Sequence, residues 1–171
     1  MLCVLFFYLS IAAPEIPSTD VCEAVGVEDR NKIPDARMTA STLYDNRYRP
    51  YYGRLNEQRE RAAWCTETKT DRTDYLQVDM GTVHSVCEVA TQGPQKDDAW
   101  TTSYKVHLST DGVNWNAYKE NNEEKVFPGN TDQHSIVKHS LSTDVKARFI
   151  RFYPVTHKVH PCLRVEIFVL K

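Results

Sequence analysis

The sequence predicts an all-β domain, an antiparallel sandwich or barrel, and three observations carry that expectation. Apolar and polar residues alternate at period two in several short windows, and turn residues separate those windows at short intervals. No window longer than about ten residues carries the 3.6 period of a helix. A chain of 171 residues suits one domain, and a domain of about 150 residues removes roughly 70% of its unfolded surface from water. The apolar fraction of 41% is modest, but aromatic residues at 11% supply bulky core material. Neither internal repeats nor low-complexity tracts interrupt the chain.

The opening stretch, "MLCVLFFYLSIAAPEIPSTD", is apolar from Leu2 to Ala13 and then abruptly polar. Such a run is too short to span a bilayer but fits the hydrophobic part of a secretory leader. Ser10 and Ala12 place the expected cleavage after Ala12, although no Lys or Arg precedes the run. Residues 1–12 are therefore read as a signal peptide, 13–21 as a Pro-containing linker and 22–168 as the folded domain of a secreted, soluble product.

The strands follow in order. "YLQVDMG" sets Leu76, Val78 and Met80 on one face, with Gln77 and Asp79 on the other. "CEVATQG" reads as a strand that stops at Gly93, and Trp100 opens the next one, "WTTSYKVHLS", with Tyr104, Val106 and Leu108 on one face. The polar loop "PQKDDA" hangs between them, and Asp111-Gly112 supplies a hairpin turn. "VFPGNTD" is a Pro-Gly turn. "ARFIRFYP" and "LRVEIFVL" are two further strands, the second with Leu163, Val165, Ile167 and Val169 in strict alternation. "NEQRERAAW" comes nearest to a helix and reads as one helical turn or a charged loop. Arg151 and Glu166 are placed on neighbouring strands, where a structural ion pair is expected.

A formal charge of -2 argues against a nucleic-acid binder, which carries a basic excess. Removal of the leader leaves Cys22, Cys65, Cys87 and Cys162, an even set that implies two disulfides with three pairings open. No Cys-x-x-Cys pair offers zinc a thiolate site, and no Asn-x-Ser/Thr acceptor is present. Catalytic signatures are equally missing. The histidine pairs His157/His160 and His134/His139 have spacings that do not force two imidazoles onto one site in a β protein, and no nucleophile elbow or phosphate loop occurs. Asp97 and Asp98 are adjacent carboxylates that point apart on a tight loop. The chain is read as a non-enzyme. Asp45 and Asn46 offer the hard oxygens that calcium prefers, yet no loop has the ligand density of a dedicated calcium motif, so no metal or cofactor is assigned.

The assembled stretches resemble the discoidin domain, the coagulation factor five/eight type C domain. The motifs are "GVEDRNKIPDARMTAS" (26–41), "GRLN" (53–56), "AWC" (63–65), "YLQVDMG" (75–81), "VATQG" (89–93), "TTSYKVHLSTDGVNW" (101–115), "VFPGNTD" (126–132), "ARFIRFYP" (147–154) and "CLRVEIF" (162–168), colinear across residues 22–168. The resemblance implies an antiparallel jelly-roll β-sandwich of the galactose-binding-like type, with loops or spikes projecting from one end. It also implies a recognition module whose relatives bind phospholipid, glycans, collagen or receptor ectodomains.

Carried over by position, a first spike falls at Asp45, Asn46, Arg47, Tyr48 and Arg49, a second at Gln58, Arg59, Glu60 and Arg61, and a third at Gln95, Lys96, Asp97 and Asp98. "THKVH" (156–160), with His157, lies beside them. The ligand-binding candidates are accordingly Asn46, Arg47, Tyr48, Arg49, Arg59, Arg61, Lys96, Asp97, Asp98 and His157, with Tyr48 at a spike tip. Trp64, Trp100 and Trp115 are assigned to core packing. The resemblance also pairs Cys65 with Cys162, leaving Cys22 to Cys87; the alternative of Cys22–Cys162 with Cys65–Cys87 stays open. Tyrosines among Asn and Arg suit planar polar ligands, so the expected partner is a cell-surface or matrix glycan or glycoprotein in an adhesion or lectin-like role. The second reading is peripheral binding to anionic phospholipid (phosphatidylserine) membranes.

Overall fold

The computed structural model describes residues 21–142 and 145–171; the expected leader at 1–12 and all but the last residue of the linker lie outside the described residues. The described chain forms twelve strands: β1 (Cys22–Ala24), β2 (Met38–Ala40), β3 (Trp64–Cys65), β4 (Leu76–Gln92), β5 (Trp100–Ser109), β6 (Asn116–Ala117), β7 (Lys119–Glu120), β8 (Glu123–Glu124), β9 (Phe127–Pro128), β10 (Val137–Ser140), β11 (Lys146–Lys158) and β12 (Cys162–Leu170). Helical structure among the described residues is confined to single 3-10 turns at Asp35–Arg37, Asn46–Tyr48 and Pro50–Tyr52. Residues 56–63 form a charged loop that leads into β3, with Asn56, Glu60 and Ala62 at positive φ.

"YLQVDMG" and "CEVATQG" are one continuous strand. The first half of β4 pairs antiparallel with β2 and β11, and its second half pairs antiparallel with β12 and β10. Gly81, at φ +87°, a backbone conformation that side chains oppose, lies inside β4 at the irregularity in its pairing with β11, which resumes at His84 and Ser85. The resulting order is β1-β12-β4-β11-β5-β6, an antiparallel sandwich. Leu76, Val78, Val86 and Val89 of β4 meet Tyr104, Val106, Ile150, Phe152, Val165 and Ile167 in one buried core. The alternation in the sequence thus points into the space between the sheets.

β12 is buried on both faces, and this departs from the simple pattern. Leu163, Val165, Ile167 and Val169 face the core, while the intervening Arg164 and Glu166 are only 1% and 2% exposed. Each is satisfied by backbone. The Glu166 carboxylate accepts N–H groups from Gly26, Val27, Glu28 and Ile167. Burial raises its pKa, and those four donors oppose the rise. Arg54, also 1% exposed, donates to the Val27 carbonyl and to Asp35 at 2.8 Å. Arg164 donates to the carbonyls of Gly93 at 2.6 Å, Glu57 at 3.0 Å and Gln133 at 3.1 Å. Burial draws the pKa of Arg164 down to about 10, which leaves it charged at neutral pH.

The ion pair expected between Arg151 and Glu166 does not form. β11 lies between β4 and β5, whereas β12 lies between β1 and β4, so the two side chains belong to strands that are not neighbours. Arg151 instead donates to Gln77 at 2.9 Å and sits over the rings of Tyr75 and Trp115, at 4.0 and 3.7 Å. Trp115 is therefore a half-buried stacking partner on the outer face of the sheet rather than a core residue. Trp64 is fully buried, with its indole N–H donated to the Thr42 carbonyl, and Trp100 is 7% exposed.

Two disulfides tie the sandwich. Cys22–Cys87 joins β1 to β4, and Cys65–Cys162 joins β3 to β12 at positions directly opposite in register. Bridges that close loops of this length contribute about 2–5 kcal/mol.

Replacing Arg164 by Leu leaves three carbonyls without their donor and should lower the unfolding free energy by about 3–5 kcal/mol. Arg59→Leu, at an exposed position, should change it by no more than about 0.5 kcal/mol. Urea titrations of the two variants check the contrast.

Candidate ligand-binding site

The first loop is built by Asp45. Its carboxylate accepts the Arg47 backbone N–H at 2.8 Å, which caps the 3-10 turn at Asn46–Tyr48, and pairs with the Arg47 guanidinium at 2.6 Å. The bonds from Arg47 hold the Asp45 carboxyl below its usual range. Arg49 donates to Asn46 at 2.9 Å. The same turn drives Tyr48 inward, and here the expectation of a tip side chain is corrected. Tyr48 is 8% exposed and clusters with Ala63, Cys65, Ala99 and Cys162, because the turn places it over the buried disulfide.

Asp97 is where three loops meet. The Tyr48 hydroxyl donates to Asp97 Oδ2 at 3.0 Å, and Arg61 approaches Oδ1 at 3.4 Å. Burial, followed by the Asp97 charge and hydrogen bond, pushes the Tyr48 phenol up to about 12. The neighbouring Asp98 pairs with Lys158 at 2.8 Å, and the Lys158 ammonium lies 4.2 Å from the Trp100 ring centroid. Arg59 turns away to Glu57 at 2.5 Å and over the Tyr52 ring at 5.2 Å. Lys96 is exposed and makes no ion pair among the described residues.

These loops enclose a cleft of about 670 Å³. Its deepest lining atoms belong to Cys65, Cys162, Ala99 and Tyr48, which are nearly inaccessible to water. Its sides are formed by Tyr44, by Glu67, Thr68 and Lys69, by Asp97 and Asp98, and by Val159 and His160. Tyr44 keeps 53% of its surface exposed, and its ring stands edge-on to Tyr48 at 5.5 Å and to His160 at 5.0 Å. His160 Nε2 donates to the Thr66 carbonyl at 2.7 Å and so pins the 66–69 segment to the turn between β11 and β12. Val159 occupies that turn at φ +60°, with 58% of its surface exposed. A β-branched residue in the left-handed region costs about 1–3 kcal/mol, a strain that clusters at functional sites.

Among the sequence candidates, the structure brings Tyr48 to the floor of the cleft and Asp97 and Asp98 to its sides. Arg47 and Arg61 reach Tyr48 or Asp97 from behind, Arg47 at 5.9 Å from the Tyr48 ring. Asn46, Arg49, Arg59 and Lys96 are exposed outside the lining. His157 lies on β11 with Nδ1 buried and without a partner; burial, then Arg72, His160 and Lys69, lower its pKa. Tyr44, Lys69, Val159 and His160 were missed as contributors. Tyr44 directly precedes the first loop, and Val159 and His160 belong to "THKVH", so proximity was the available signal. Nothing in the sequence links Lys69 to them, because the His160–Thr66 bond spans 94 residues.

A jelly-roll sandwich with a cleft at one loop-bearing end defines a class of recognition modules. The family model of the F5/8 type C domain matches residues 37–167, and the chain belongs to that family. Bovine (Bos taurus) lactadherin is 36% identical over 155 residues, covering 85% of this chain and 36% of the relative. Human epithelial discoidin domain-containing receptor 1 is 33% identical over 151 residues, covering 85% of this chain and 16% of the receptor. The chain thus spans a minor part of these relatives. Discoidin II from Dictyostelium discoideum superposes with a TM-score of 0.74 at 25% identity, covering 92% of this chain and 60% of that one. The family 32 carbohydrate-binding module of Clostridium perfringens NanJ, solved in complex with galactose, gives a TM-score of 0.61 at 16% identity, covering 86% of this chain and 99% of the module; it shares the fold.

Tyr48→Phe should cost about 1 kcal/mol by removing the bond to Asp97, and Tyr48→Ala about 3–5 kcal/mol by opening the packing over the disulfide. A phenol raised in the folded state stabilises it below the unfolded value of about 10 and loses that contribution as pH rises through about 12. Denaturant titrations from pH 9 to 12 on wild type and Tyr48→Phe should show the wild type losing the difference at the alkaline end.

Proposed function

We propose that this domain is a secreted binding module, not an enzyme, that recognises a glycan or glycoprotein outside the cell through the cleft at its loop end. The exposed face of Tyr44 inside that cleft carries the reading. An aromatic ring with one accessible face and polar groups around it suits a sugar, whose ring has an apolar face and a hydroxyl rim. Glu67, Thr68, Asp98 and His160 supply the polar groups within reach of Tyr44. A cleft near 670 Å³ falls in the range used for small ligands. The galactose complex of the structurally similar NanJ module supports the same ligand class. The two disulfides, together with the leader expected at 1–12, support export, since disulfides persist in oxidising compartments.

A second reading is favoured by one observation. Val159 and Tyr44 present apolar surface side by side at the lip, and burying such a side chain in lipid returns about 1.5–3 kcal/mol. Glu67, a carboxylate of the cleft with no ion partner among the described residues, repels an anionic headgroup, which places peripheral phospholipid binding second.

A glycan array followed by calorimetry on the hits is the test. Tyr44→Ala should weaken sugar binding at least ten-fold with an unchanged melting temperature, because the ring is largely exposed. Retained sugar affinity in that variant, or binding to phosphatidylserine vesicles with no sugar hit, rejects the glycan reading.

A further inference from the structure

The outer face of the β4-β11-β5 sheet carries groups that the cleft does not use. Outward positions of an exposed antiparallel sheet are ordinarily polar. Here Tyr75, Phe149, Tyr153 and Trp115 share that face, each half-buried, and none of them lines the cleft. Arg151 sits among them, its guanidinium carbon 4.0 Å from the Tyr75 ring centroid and 3.7 Å from that of Trp115. Its Nε–H is donated to Gln77 at 2.9 Å, which fixes the plane of the group. Its two terminal nitrogens meet no acceptor among the described residues and are not sealed from water. The rings around it are held as well. Trp115 donates its indole N–H to the Gly112 carbonyl at 3.2 Å, and Tyr153 packs against His107 at 4.5 Å and Tyr75 at 5.4 Å. The nearby carboxylates are already engaged. Asp79 accepts both ends of the Arg148 fork at 2.8 and 2.9 Å, and Glu124 is shared by Lys105 and His107. Asp111 accepts from Ser109, Val113 and Asn114. Arg151 is left with its charge and its donor edge unmatched among the described residues.

We propose that this face docks a segment of a partner protein that presents an Asp or Glu carboxylate beside an apolar side chain. The carboxylate takes the free N–H edge of Arg151 in the forked geometry that a planar guanidinium favours. The apolar neighbour lies on Trp115 and Phe149, or on Tyr153. Trp, Tyr and Arg are the residues that dominate binding energy at protein interfaces. With the rings and Gln77 already fixing Arg151, little rotamer freedom remains to be lost on docking. Charge and shape choose this occupant over two others. A sulfated sugar offers the anion but no apolar group for the rings. A second copy docked by the same face brings its own unmatched Arg151 towards this one, so that like charges meet. The surface is separate from the cleft, and the proposal does not depend on what the cleft binds.

The probe is a phage-displayed library of random peptides selected on the full chain, with the hits made synthetically and titrated by calorimetry and heteronuclear NMR. The Trp115 indole N–H signal reports on this face. Hits that move it should carry an Asp or Glu next to an apolar residue. Their Asn or Gln counterparts should bind about ten-fold more weakly, the scale of one charge-assisted hydrogen bond. Arg151→Gln should lose a similar factor, and Tyr44→Ala, in the cleft, should lose nothing. The exchange within the peptide leaves the protein untouched, so it decides the matter even where the Arg151 variant loses stability. The proposal is overturned if no hit moves the Trp115 signal, or if the hits that do so bind equally well without their carboxylate. Self-association of the wild type in sedimentation that Trp115→Ala abolishes assigns the face to a second copy. Heparin oligosaccharides that move the Trp115 signal where no peptide does assign it to a sulfated glycan. Either result also overturns the proposal.

Discussion

A buried guanidinium holds the binding end of this domain in place. Arg164, on a strand covered on both faces, donates to the carbonyls of Gly93, Glu57 and Gln133, which come from three separate loops. Loop backbone that turns inward must find donors, since an unsatisfied buried carbonyl costs about 1–3 kcal/mol. One rigid planar side chain meets three such demands at once, and no apolar residue of similar size can. Gly93 shows how tight the arrangement is: a Cβ there would lie 2.8 Å from the Asp132 carbonyl oxygen.

Above that anchor the loops are locked to one another rather than left to find a ligand. The Cys65–Cys162 bridge, Tyr48 and Ala99 form an apolar floor, and Asp97 joins the Tyr48 and Arg61 loops over it. His160 ties the 66–69 segment to the β11–β12 turn. Such a surface loses little conformational entropy on binding, so its contacts are realised as affinity. Most charged pairs around it are exposed and contribute little to stability. Their consequence is the charge balance of the surface, in which Lys69, Arg72 and Lys96 are among the cations with no carboxylate partner among the described residues.

The alternation of Leu76, Val78, Met80 and of Leu163, Val165, Ile167, Val169 made the strands legible, because period two is a local property of extended backbone. The converging loops at 45–49, 58–61 and 95–98 were legible through the family resemblance. Two side chains on those elements went elsewhere. Tyr48 looked like a tip and became a floor, because the Asp45-capped turn rotates it inward. Arg151 looked like a partner of Glu166 and became a stacked residue between Tyr75 and Trp115, because strand order, not strand sequence, chooses neighbours.

What the sequence determined by itself is an all-β sandwich of the F5/8 type C family, whose core faces repeat every second residue. Only the tertiary structure decided which side chains share the cleft. Tyr44, Lys69, Val159 and His160 come together through contacts spanning up to about a hundred residues. Side-chain alternation is written along a strand, but the meeting of distant loops depends on how the two sheets are stacked and on what anchors the loops beneath.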